Sequence, residues 1–128
     1  MRERRKTPRL AKAYRLRLRE VAFPPAAWTD ATCRDVSATG LAVECGLPLA
    51  PGALVEVRLV VPRLNLYHPG FFKALENAAH QELRAVGRVA RAERQGWQAL
   101  LGIQFTDLDQ DDRRAWERLL ARLLGGQP

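Results

Sequence analysis

The segment TDATCRDVSATGLAVEC, residues 29–45, holds two runs of strand-forming residues around a short polar interruption. Thr29 to Val36 reads as a strand, "SATG" (37–40) as a tight turn, and Leu41, Val43 and Cys45 fall on one face of the run that follows. Two such runs joined by so short a turn make an antiparallel hairpin. The same period of two recurs on both sides. Upstream, Leu16 and Leu18 alternate with Arg15, Arg17 and Arg19 until Pro24-Pro25 breaks the run. Downstream, alternating strands are predicted over Leu54 to Val61, Leu83 to Glu93 and Trp97 to Phe105, with "PLAPG" as the breaker before the first. Six strands in this order give a meandering all-β fold.

The end of the chain has a different period. Trp116, Leu119, Leu120, Leu123 and Leu124 recur at helical spacing, Asp109 can cap the helix, Asp111 and Asp112 charge its first turn, and Gly125-Gly126 stop it. A C-terminal helix over 109–126 is expected to pack on an open end or seam of the strands. Between the fourth and fifth strands, residues 63–82 are too long for a hairpin loop. Phe71, Phe72, Leu75, Ala78 and Ala79 share a helical face there, predicting a short inserted helix. It is expected either to cover the mouth of the barrel or to meet a partner or a second copy of the chain, a homodimer.

With 128 residues and 47% hydrophobic composition, the chain fits one domain: a basic arm (1–12), strands with the insertion (13–108) and the helix (109–126). No apolar run approaches the roughly 20 residues that span a bilayer, so no membrane insertion and a cytoplasmic location are expected. Cys33 and Cys45 suit a reducing compartment as core residues, although their equal spacing from Thr39 leaves a cross-strand bridge conceivable.

Charge is concentrated at one end. Nine of the 21 Lys and Arg residues lie within residues 2–19 beside a single acid, Glu3, so the net charge of +7 is a local feature that calls for an anionic companion. Signs of catalysis are missing. His68 and His80 lack companions at metal-ligand spacing, Ser37 has no evident base, no phosphate-cradling loop motif occurs, and Asp107, Asp109, Asp111 and Asp112 fit helix capping better than calcium. No enzyme and no catalytic cofactor are expected.

Two patterns carry the functional reading: "RRKTPR", with Arg5 and Arg9 in an RxxxR spacing, and "DVSATG", with Asp35, Ser37 and Gly40 at the hairpin turn. A guanidinium meets guanine O6 and N7 side on, or grips a phosphate with two hydrogen bonds. Asp35 offers an acceptor for guanine N–H groups or for an arginine, Ser37 a hydroxyl, and Gly40 either an unusual backbone conformation or a close approach. Arm and turn together suit an anionic, guanine-bearing ligand.

In order and spacing, RxxxR, then DxSxxG, then "GIQFTDLDQDDRRAWERLL" (102–120) resemble a PilZ domain over nearly the whole chain, with the 63–82 segment as the main departure. The resemblance implies a six-stranded antiparallel β-barrel that binds cyclic di-GMP. Arg5 and Arg9 would take guanine and phosphate, while Asp35, Ser37 and Gly40 line the other side. Arg4 adjoins the motif and would meet a second ligand molecule or water. The expected function is a sensor whose arm, mobile from Arg2 to about Leu10 before binding, closes on the turn and presents a surface to a downstream protein. The alternatives are an adaptor of pilus or motility machinery that binds no nucleotide, and a basic nucleic-acid-binding barrel. The missing ladder of stacking aromatics disfavours nucleic acid.

Overall fold

The computed structural model describes residues 8–67 and 81–125. Arg4, Arg5, His68, His80 and the helix expected at 71–79 lie outside the described residues. Seven strands are present: β1 (Leu10–Ala11), β2 (Arg15–Glu20), β3 (Thr29–Val36), β4 (Gly40–Cys45), β5 (Leu54–Val60), β6 (Glu82–Gln95) and β7 (Gln98–Leu108). The six predicted from alternation are joined by β1, which the sequence does not announce.

All pairings are antiparallel, and β2–β3–β4–β7–β6–β5 return to β2, closing a barrel. This departs from a consecutive meander, because β4 pairs with β7 and β5 with β2. Local alternation specifies which face of a strand is buried. It does not specify which distant strand lies alongside.

Burial follows the pleat. Leu16 and Leu18 point inward with Val55, Val57, Leu59, Leu83, Val89, Leu101 and Ile103, and Arg15 and Arg17 on the alternate positions point out. Each such Leu or Val contributes roughly 1.5–3 kcal/mol by leaving water, which sets the register of every strand that carries one. Cys33 and Cys45 are buried free thiols, and the register places Cys33 opposite Val43 instead of Cys45. Burial pushes both thiols above their ordinary pKa.

β1 and β2 lie along the same edge of β3, separated by residues 12–14. Lys12 N–H to Arg34 O (3.3 Å) and Cys33 N–H to Tyr14 O (3.0 Å) carry the seam across that gap. Leu10 pairs with Val36 and Ala11 with Asp35, so the chain from Leu10 onward is tied to the barrel and does not belong to a free arm.

The C-terminal helix, Gln110–Gly125, starts as expected: Asp109 Oδ2 accepts from the N–H groups of Asp111 and Asp112, each at 3.1 Å. Ala115, Trp116, Leu119 and Leu120 are buried, while Leu123 and Leu124 fall outside the buried stripe. The helix packs on β6 and on a 3-10 helix, Leu64–Tyr67, at the start of the insertion. Arg63 N–H donates to the Gln81 side-chain carbonyl and Val61 N–H to Gln81 O (2.9 Å), drawing the two ends of the insertion together.

Candidate ligand-binding site

The turn between β3 and β4 is built by its own side chains. Ser37 Oγ accepts from the N–H groups of Thr39 (3.3 Å) and Gly40 (3.2 Å), and Ser37 N–H donates to Gly40 O at 2.9 Å. This leaves Ser37 only 2% exposed. Its carbonyl receives the indole N–H of the fully buried Trp116 at 3.0 Å, so the C-terminal helix clips the turn in place. On the opposite side, Phe105 N–H donates to Thr39 O at 2.8 Å.

Gly40 is required by proximity. A β-carbon there would lie 2.1 Å from the Ile103 carbonyl oxygen and 3.2 Å from Gln104 Cα, both fixed by the β4–β7 ladder. Its backbone is not in the left-handed region. Of the two roles open to this glycine, close approach is the one the structure uses.

Arg9 and Asp35, 26 positions apart in sequence, meet at 2.7 Å between NH1 and Oδ1, each about a quarter to a third exposed. The β1–β3 pairing brings them together, since Leu10 and Ala11 lie opposite Val36 and Asp35. A partly exposed pair of this kind adds at most about 1 kcal/mol to stability. Its consequence is geometric: one nitrogen of the guanidinium is held by Asp35, and among the described residues the remaining N–H groups of the fork meet no other partner.

Arg9, Ser37, Thr39 and Gly40 line one cleft of about 180 Å³. Its other wall is Arg91, Gly102 and Gln104, which the sequence did not single out. Arg91 follows a bulge in β6 and pairs with Gly102 of β7. A β-carbon on Gly102 would lie 3.4 Å from Arg91 Nε and 3.7 Å from Arg91 Cβ, so the arginine lies flat across the glycine. Gly102 stands in the sequence only as the first residue of the GIQF stretch. Arg91 looked like any outward arginine of an alternating strand, and only the pairing of β6 with β7 reveals it.

Asp35 is not among the lining residues and is joined to the cleft by its contact with Arg9. Arg4 and Arg5 lie outside the described residues. A larger cleft of about 470 Å³, lined by Arg15, Asp30, Thr32, Glu44 and Gln98 among others, mixes both signs of charge and lacks the expected site residues. Among the described residues no group of three or more His, Cys, Asp or Glu could hold a metal, and no helix is long and apolar enough to cross a membrane.

Comparison with solved structures gives similar barrels at low sequence identity. The MrkH–c-di-GMP complex of K. pneumonia aligns at TM-score 0.69 and 18% identity, covering 97% of this chain and 54% of that one. The Bacillus subtilis inhibitor of motility, MotI/DgrA, aligns at 0.68 and 15%, covering 98% and 53%. The chain thus spans about half the length of these two proteins. The PilZ domain with c-di-GMP of YcgR from Escherichia coli aligns at 0.61 and 13%, covering 98% and 100%. No curated protein sequence matches the chain. The PilZ domain family does match, over residues 3–122, and with the closed barrel, the C-terminal helix and the glycine-dependent turn in place, the chain belongs to the PilZ domain family.

Proposed function

We propose that this chain is a non-catalytic sensor of cyclic di-GMP, which binds in the cleft between Arg9 and the 37–40 turn. The observation that carries the reading is that Arg9, distant in sequence from the turn, lines one recess with Ser37 and Gly40, all three predicted as ligand contacts. Two solved PilZ relatives hold c-di-GMP by their own descriptions, which supports the same ligand class here.

The chemistry follows from the donors. Arg9, oriented by Asp35, presents N–H groups to a guanine edge or a phosphate. Arg91 supplies a second guanidinium plane over the glycine floor, suited to stacking on a purine face. Arg5, by its RxxxR spacing to Arg9, adds charge for the phosphates, and Arg4 is a further contact to a second ligand molecule. Leu10 and Ala11 are already paired with β3, so the Arg9–Asp35 pair gives the ligand a fixed anchor. The signal then passes to a separate protein.

Calorimetric titration with cyclic di-GMP beside GTP and the linear dinucleotide tests the reading. Saturable binding of the cyclic ligand, with the controls weaker by at least about 10-fold, equivalent to 1.4 kcal/mol, is expected. Equal heats for all three, or none, would reject it.

A further inference from the structure

Away from the cleft residues, the outer face of β2, β5 and β6 carries arginines in direct register. Arg17 is paired with Arg58, and Arg58 with Arg84. Like charges directly opposite one another in a sheet repel, so something must offset this row. Part of the answer is Trp28, whose ring lies 5.5, 4.1 and 4.6 Å from the guanidinium carbons of Arg17, Arg19 and Arg58. Arg19 is also held by Glu56 through two bonds, at 3.0 and 3.3 Å, and Arg84 by Glu82 at 3.3 Å. Among the described residues no carboxylate forms an ion pair with Arg17 or Arg58.

We infer that this face docks an acidic protein segment, with carboxylates meeting Arg17 and Arg58. The outer positions of β5 read Leu54, Glu56, Arg58, Val60, and the exposed Leu54 and Val60 flank the charged row on both sides. Phe23, in the loop leading to Trp28, is 97% exposed. Recesses of about 210 and 110 Å³ adjoin Arg58 on either side. Tryptophan and arginine with apolar residues between them are the composition of protein–protein hot spots. A polyphosphate, with its unbroken charge, fits less well than spaced carboxylates, because Glu56 and Glu82 lie within the row and Asp30 stands opposite Arg17. The inference does not depend on the nucleotide reading.

The test uses a poly(Glu,Tyr) copolymer as the acidic, aromatic-bearing probe. Replacing the exposed Trp97 by Phe leaves Trp28 as the accessible tryptophan, since Trp116 is buried. The copolymer is expected to change Trp28 emission saturably, and Arg58→Glu to weaken binding at least 10-fold with an unchanged melting curve. Should Arg58→Glu fail to fold, Arg17→Ser carries the same comparison. Binding that ignores both substitutions would place the probe on the basic N-terminal region and overturn the proposal. Tighter binding of an oligo-dT strand, or of anionic lipid vesicles, than of the copolymer would overturn it equally.

Discussion

Two arginine-rich regions of this barrel put the same side chain to different use. At the β3–β4 turn, Arg9 is gripped by Asp35 at 2.7 Å and faces a recess whose floor is glycine backbone. On the β2–β5–β6 face, Arg17 and Arg58 stand opposite each other, with no ion pair to either among the described residues, and both lie against the ring of Trp28. The first arrangement encloses a small volume with fixed donors, which suits a compact ligand. The second spreads charge and apolar surface over three strands, which suits another protein. Arg9 and Arg91 face the cleft while Arg17, Arg19, Arg58 and Arg84 share the outer face, and the backbone beneath them differs as well.

Gly40→Val should break the first region alone and with the largest effect. Its β-carbon would collide with the Ile103 carbonyl, and the β4–β7 ladder leaves that oxygen nowhere to go. A loss on the order of 3 kcal/mol or more is expected in a urea midpoint, with cleft binding abolished. A wild-type midpoint would show that the ladder gives way easily and that the turn is not a rigid frame.

Arg9→Ala sharpens the contrast through binding instead of folding. Loss of charge-assisted hydrogen bonds should weaken cyclic di-GMP by about 10- to 100-fold, while the melting temperature barely moves. Arg58→Ala should leave that affinity within about 2-fold, a change well under 1 kcal/mol. Comparable losses from both variants would erase the distinction between the regions.

Ser37→Ala is a smaller change with a sign fixed by burial. The hydroxyl serves two turn N–H groups in a nearly closed setting, so its removal should lower stability by about 1 kcal/mol as well as loosen the cleft. An unchanged midpoint with weakened binding would instead make Ser37 purely a ligand contact.

The smallest effect is expected at Cys33, whose thiol donates to Lys12 O at 2.8 Å beneath the β1–β3 seam. Burial first, then the charge of Asp35, raise its pKa. A thiol raised on folding favours the folded state below its ordinary value of 9.0 and loses that contribution as pH climbs above it. In a Cys45→Ala variant, Cys33 should therefore react with a disulfide reagent far more slowly when folded than in urea at pH 8. Equal rates would mean the seam under the cleft is open.

Much of this was legible in the sequence, for identifiable reasons. Strand faces, the helix cap at Asp109 and the 37–40 turn depend on neighbouring residues, so period and residue type reveal them. Arg9 and Asp35 were singled out in two separate motifs, and the β1–β3 seam supplies the contact between them. Strand order, β1 and the register row of Arg17, Arg58 and Arg84 are non-local, and alternation is silent on them. Arg91 escaped for the same reason: its role arises from a bulge opposite a glycine in another strand.

Amide chemical-shift mapping during titration with cyclic di-GMP tests the central claim most directly. Residues 9–11, 35–40 and 102–104, with Arg91, should shift and saturate together, while Arg17, Trp28 and Arg58 stay in place. Shifts confined to the Trp28 face, or none in residues 35–40, would contradict the assignment of the ligand to the turn.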